Sequence, residues 1–217
     1  MIVSTNAKSL EESVFLTLED EILSGKLKRG ETLVETSLSA RLGVSRTPIR
    51  GALHRLCEEG LVEISPNRGA VVIGIGREEL VDIYKIRMRL EGLASAEAAR
   101  RISHNDIKAL HDIVDLADFY IGKRDTERIK ELDSEFHSVI YRASGNRLLC
   151  KTLSELHRNI HFYRKKSLAV DDRLKASAAE HKEILAAIER ADADSADRLT
   201  SAHIEAALKN LLEAGDL

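Results

Sequence analysis

Tryptophan is absent from the chain, and only two prolines and two cysteines occur among its 217 residues. Cys57 and Cys150 lie far apart, with no C-x-x-C spacing, so a disulfide framework is not expected and a reducing, cytoplasmic setting fits. No apolar run approaches membrane-spanning length and the N-terminus lacks the apolar core of a signal peptide, so no membrane association is expected. Internal repeats and low-complexity segments are missing too. A strong charge of either sign is also lacking. The formal net charge is −3, and residues 1–76 hold nine Lys and Arg against ten Asp and Glu. Any contact with nucleic acid must therefore rest on a local patch and not on bulk charge. The length allows one or two domains with a sizeable core.

What is present, first, is a patterned stretch from Thr32 to Val72. A short helix is expected over Glu35 to Leu42, stopped by Gly43, which turns at little cost into positive φ. Ser45 is placed to cap a second helix with Pro48 in its first turn, where no amide donor is missed. Ile49, Ala52, Leu53 and Leu56 fall at i, i+3, i+4 and i+7, and Gly60 closes the helix. Two short helices joined by a glycine turn make a helix-turn-helix. Between Arg41 and Arg55 stand four arginines (Arg41, Arg46, Arg50, Arg55) and no acidic residue. Arg46 and Arg50 share one face near the helix start, where free amides and the positive dipole end suit phosphate. An arginine fork can also read guanine O6 and N7 in a major groove. The competing reading of these arginines is a solvated basic face. Next, Leu61–Ser65 and Ala70–Ile73 flank Pro66-Asn67-Arg68-Gly69, a hairpin pattern that would form a wing carrying Arg68 at its tip.

The run LGVSRTPIRGALHRLCEEGLV followed by PNRGA resembles the winged-helix domain of GntR-type bacterial transcription regulators over about residues 10–73. The resemblance implies that Arg46 and Arg50 read an operator, and that Ser45, Thr47 and the wing around Arg68 and Gly69 touch DNA, beside the basic Arg41. Gly51 departs from the family, which usually has glutamate there. Glycine should weaken the helix by about 1 kcal/mol relative to alanine.

The rest of the first module reads simply. Residues 1–9 are expected to be a loose tail. Leu10, Val14, Leu18 and Ile22 mark an amphipathic helix, and Leu33 and Leu38 belong to a small core. Gly74-Ile75-Gly76 begins a linker, and from Glu78 onward the pattern is helical throughout. A long helix runs to about Arg101. Others follow a capping box at Ser103-x-x-Asp106, Thr126, Asn146, Asp171 or Asp172, and Asp194. Six helices in this half predict an all-α bundle.

Two of the bundle's apolar stripes carry a histidine, His181 and His203. A third helix sets Asp133 and His137 four apart on its core side. Four potential ligands on three helices thus converge on the interior. Imidazoles with one carboxylate suit a divalent transition metal such as zinc, nickel or manganese. Each histidine taken singly would be read as a hydrogen-bonded core residue. His157 and His161 form a rival i, i+4 pair that flanks its stripe, a surface or pocket-lining position. His54, His104 and His111 are expected on the surface. Glu180, beside His181, is expected to face solvent or the next helix.

The elements Asp133-Ser-Glu-Phe-His137, Ala143-Ser-Gly-Asn146, Glu180-His181, His203-Ile204 and Tyr84-x-x-Arg87-x-x-Leu90-Glu91 resemble the ligand-binding domain of the FadR-like (FCD) branch of that family. The resemblance implies a metal held by Asp133, His137, His181 and His203, a small carboxylate effector bound there, and Arg87 as a second contact. A salt bridge to Glu91 is the alternative for Arg87. The expected fold is mostly α: a winged helix-turn-helix over 1–73, a linker over 74–77 and an all-helical effector-binding and dimerisation domain over 78–217. The expected function is that of a homodimeric repressor on double-stranded DNA bearing a short palindrome. A metal-dependent hydrolase is the competing class, although no H-E-x-x-H is present. A winged-helix DNA binder whose bundle only dimerises is the third.

Overall fold

The computed structural model describes residues 4–65, 69–160 and 171–213. The chain divides into two compact units, Met1–Arg77 and Glu78–Leu217.

In the first unit α1 spans Ser4–Leu23, β1 Thr32–Leu33, α2 Glu35–Leu42, α3 Arg46–Glu58, β2 Val62–Ser65 and β3 Gly69–Val72. The expected loose tail is instead helical from Ser4, because residues 4–9 hold neither glycine nor proline to stop α1 from propagating backward. The apolar stripe of α1 begins later than expected. Leu10 is exposed, whereas Val14, Phe15, Leu18 and Ile22 are buried against Ile49, Leu53 and Leu56 of α3. Gly43 ends α2 at φ 68°, its amide donating to the Ser39 carbonyl at 3.1 Å, as the turn requires. β2 and β3 pair antiparallel from Val62↔Val72 to Ser65↔Gly69, the wing hairpin. β1 adds a third strand that the sequence does not announce, pairing Thr32↔Val71 and Leu33↔Ala70, so that the order is β1-β3-β2.

In the second unit α4 spans Arg77–Arg101, α5 His104–Lys123, α6 Thr126–Ala143, α7 Arg147–Asn159, α8 Asp171–Glu189 and α9 Ala193–Glu213. Side-chain caps fix several starts. Ser103 accepts from the Asp106 amide, Asp125 from Arg128, Asn146 from Leu149 and Asp192 from Ser195. The core is built on Leu110, Leu132, Phe136, Ile140, Leu153, Ile184 and Ile188. α4 and α9 cross closely at Gly92, where a Cβ would meet the side chains of Asp197 and Ser201. Among the described residues no helix is long and apolar enough to cross a membrane.

What distinguishes this interior is its polarity. Arg87, Glu91, Asp133, His137, Arg173, Ser177, His181 and His203 are all buried. Buried charges persist only when paired or coordinated, so their partners define the site.

Candidate functional site

Asp133 and His137 come from α6, His181 from α8 and His203 from α9. Each offers one ligand atom, all four atoms lie within 4.8 Å of one another, and all four residues are buried. Phe136 stacks on His181 with ring centroids 4.1 Å apart and planes at 14°, which fixes that imidazole. Asp133 Oδ1 stands 3.6 Å from His181 Nε2 and accepts from the Ser177 hydroxyl at 3.4 Å.

Two further carboxylates set the tautomers. Glu91 Oε2 lies 2.9 Å from His137 Nδ1, and Glu180 Oε2 lies 2.6 Å from His203 Nδ1. An ionised carboxylate can only accept, so His203 Nδ1, bonded to Glu180, carries its proton, and the Glu91 contact favours the same tautomer for His137. The two Nε2 atoms then face each other, 3.3 Å apart. Burial pushes His203 below the ordinary imidazole pKa, more than its bond to Glu180 lifts it, and the neighbouring His137 adds to the depression. The neutral ring leaves an Nε2 lone pair. A cation between the two Nε2 atoms would be coordinated by both. Two imidazole nitrogens bound at about 2.0–2.1 Å to one ion stand about 3.0–3.4 Å apart. The donor set therefore fits a metal ion, and the carboxylate–histidine arrangement is the one that orients metal ligands.

Each outer carboxylate is held by an arginine. Arg87 Nε and Nη2 approach Glu91 Oε1 at 2.7 and 2.6 Å, within a pair that is almost wholly buried. Burial opposes the charge on Arg87, but Glu91, with Tyr84 and Tyr141, outweighs it and raises its pKa. The salt-bridge alternative for Arg87 is thus realised, yet its Nη1 finds no hydrogen-bond acceptor among the described residues. Arg173 donates to both oxygens of Glu180 at 2.6 Å. Burial pushes the Glu180 carboxyl up, but hydrogen bonds from His203 and Arg173, with the charge of Arg173, outweigh it and hold the pKa down to about 2. Arg173 Nη2 also lies 3.3 Å from His203 Nδ1, a donor facing a donor, and its hydrogens go to Glu180. Of the two settings expected for Glu180, solvent or the next helix, the second holds: α9 closes over it through His203, and its side chain is 29% exposed.

His157 is half-buried. Its Nδ1 stands 3.4 Å from the Tyr141 hydroxyl and its ring centroid 6.0 Å from that of His137. His161 lies outside the described residues. His54, His104 and His111 are exposed, as expected. On the other side of Asp133 and His181 a small cavity of about 10 Å³, room for one water, is lined by Ile113, Val114, Leu132, Leu174 and Ala178.

In the first unit Ser45, Arg46, Thr47 and Arg50 are exposed at the start of α3. Ser45 occupies the N-cap, but its side chain makes no capping bond. The third helical position is Pro48, which has no amide to give, so one of the two usual partners of a cap is missing. The hydroxyl stays open to an outside partner. The four arginines divide sharply. Arg41 forks onto Glu21 at 2.9 and 2.7 Å. Arg55 pairs with Glu12 at 2.6 Å and lies over the Phe15 ring. Arg50 forks onto Glu35 at 3.0 and 2.9 Å. Arg46 alone among them has no ion-pair partner among the described residues. Gly69 opens β3 at φ 75°, and Arg68 lies outside the described residues.

Relatives agree with this architecture. Residues 10–72 match the family described as bacterial regulatory proteins, gntR family, and residues 82–206 match the FCD domain. The chain is 30% identical over 203 residues to the HTH-type transcriptional regulator YdhC of Bacillus subtilis (strain 168), covering 91% of this chain and 90% of that protein. It is 34% identical over 142 residues to the Nta operon transcriptional regulator of Aminobacter aminovorans, covering 65% and 67%. The solved structure of E. coli McbR/YncC shares the fold at TM-score 0.75 and 24% identity, over 95% of this chain and 99% of that one. These relatives are regulators, which sets aside the hydrolase alternative. The chain belongs to the gntR family of bacterial regulatory proteins, as a DNA-binding transcriptional regulator with an FCD domain.

Proposed function

We propose that this regulator is a homodimeric repressor whose hold on a short palindromic operator is set by a small carboxylate bound at a metal-containing pocket. The single observation that carries the reading is the buried set of Asp133, His137, His181 and His203, with two histidine Nε2 atoms facing each other at 3.3 Å. Residues 1–73 bind DNA, 74–77 link, and 78–217 bind the effector and dimerise. Arg46 and Arg50 read base edges, Ser45 and Thr47 meet phosphate at the helix start, and Gly69 and Arg68 serve the wing. Arg41, forked onto Glu21, supports this face as much as it contacts DNA.

The four residues would hold zinc, nickel or manganese. When bound, the ion supplies positive charge that attracts an anion in a water-poor interior. Arg87 keeps Glu91 ionised, Glu91 holds the proton on His137 Nδ1, and the Arg87 Nη1 donor remains for one oxygen of the effector. The effector biases the dimer between arrangements by no more than its difference in affinity for them.

The test is a mobility-shift titration on a duplex selected from a random library, using protein loaded with zinc. Adding acetate, succinate or citrate in turn should release the duplex for at least one of them, and Arg87→Met should blunt that release. If no carboxylate alters binding, and metal-stripped and loaded protein bind alike, the bundle is only a dimerisation block.

A further inference from the structure

Arg50 stands on the exposed side of α3, one turn after Arg46, and its guanidinium is already occupied. Nε donates to Glu35 Oε1 at 3.0 Å and Nη2 to Oε2 at 2.9 Å. Glu35 is the first residue of α2, so the fork joins the two helices of the helix-turn-helix across its outer face. The pair is not needed to hold the helices together. Leu38, Ile49, Leu53 and Leu56 do that in the core, whereas the Arg50 and Glu35 side chains are 64% and 31% exposed. The charge of Arg46 also acts on the Glu35 carboxylate, which the Arg50 bond holds below its usual pKa.

A carboxylate presents two acceptor oxygens to an arginine fork, and guanine presents O6 and N7 in the same bidentate way. Glu35 and a guanine edge are therefore alternative occupants of one donor pair. We propose that Glu35 is a specificity-determining residue: it fills the Arg50 fork as an internal stand-in for guanine, so that only a base edge offering two acceptors displaces it. A non-guanine base or a single phosphate oxygen then meets an arginine whose charge is already neutralised. The proposal rests on Arg50 being a base-reading side chain. The exchange is accessible because an exposed ion pair is weak, and a guanine edge replaces both of its bonds.

Two duplexes test this: one selected by the wild-type protein from a random library, and an alternating dA–dT duplex that offers no guanine. Affinities are measured by fluorescence anisotropy for the wild type, Glu35→Gln, Arg50→Ala and the double variant, at several salt concentrations. Glu35→Gln should tighten binding to the dA–dT duplex roughly two- to fivefold, the size of a lost exposed ion pair. It should shrink the ratio between the two duplexes by a similar factor. Its salt slope on dA–dT should steepen by about one, because the freed Arg50 takes up a phosphate. All three changes should vanish in the Arg50→Ala background. If Glu35→Gln acts equally with and without Arg50, it reports plain loss of a negative charge near DNA and the proposal is overturned, as it is if nothing changes. If Arg50→Ala binds the selected duplex like the wild type, the base-reading role of Arg50 fails, and the proposal falls with it.

Discussion

Glu91 and Glu180 each give one oxygen to a histidine Nδ1 and are each gripped by a buried arginine. Loss of such an outer partner typically costs 10- to 100-fold in metal affinity. Glu91→Gln and Glu180→Gln should therefore each weaken zinc binding by roughly that factor, measured by competition with a chelator, while the four ligands stay in place. Arg87→Met strands a buried carboxylate and should destabilise the second unit by about 3–5 kcal/mol in urea denaturation. The pH response follows from the same residues. His203 titrates below its unfolded value, so the folded state resists a proton that the unfolded chain accepts, and stability falls as pH drops through about 6.5. Glu180, depressed to about 2, adds stability that is full above its unfolded value and is lost between about 4.5 and 2. Thermal melts of metal-stripped protein should show both declines, the second being reduced in Glu180→Gln. The candidate ligands were legible because an imidazole in an apolar stripe is out of place. Glu180 was not, because it neighbours His181 off the stripe, and only the return of α9, whose register is not written locally, covers it.

At the scale of elements, local chemistry was legible where a cap or turn residue decides. Gly43, Ser103 and Asn146 act as their types require. Gly43 has φ 68° and open space around a Cβ, so Gly43→Ala should cost about 1 kcal/mol from backbone strain alone, read as a shift of the urea midpoint with an unchanged slope. Gly51 poses the opposite case. Its φ is ordinary and the nearest atoms a Cβ would meet belong to the flexible Glu11 side chain. Gly51→Ala should stabilise α3 by up to about 1 kcal/mol as Glu11 swings aside, and a loss would show that the α1–α3 contact is fixed. β1 escaped detection because two residues hold no alternation, and their pairing depends on β3, far along the chain. Ser45 takes the N-cap position without a side-chain bond, and Pro48 removes one of its two usual donors.

For the whole molecule, a net charge of −3 leaves DNA binding to a local face, proposed above to be the start of α3. Three of the four arginines between Arg41 and Arg55 are tied to carboxylates of the same unit, so fewer charges are free than the sequence suggests. In the proposed function the interior of the second unit makes the DNA binder a sensor, and the central claim is a metal ion held by Asp133, His137, His181 and His203. The direct measurement is metal content by elemental mass spectrometry on untagged protein, beside a His137→Ala/His181→Ala variant. The account predicts about one transition-metal ion per chain in the wild type and none in the variant. Absence of metal from both, even after incubation with zinc, nickel or manganese, would contradict it.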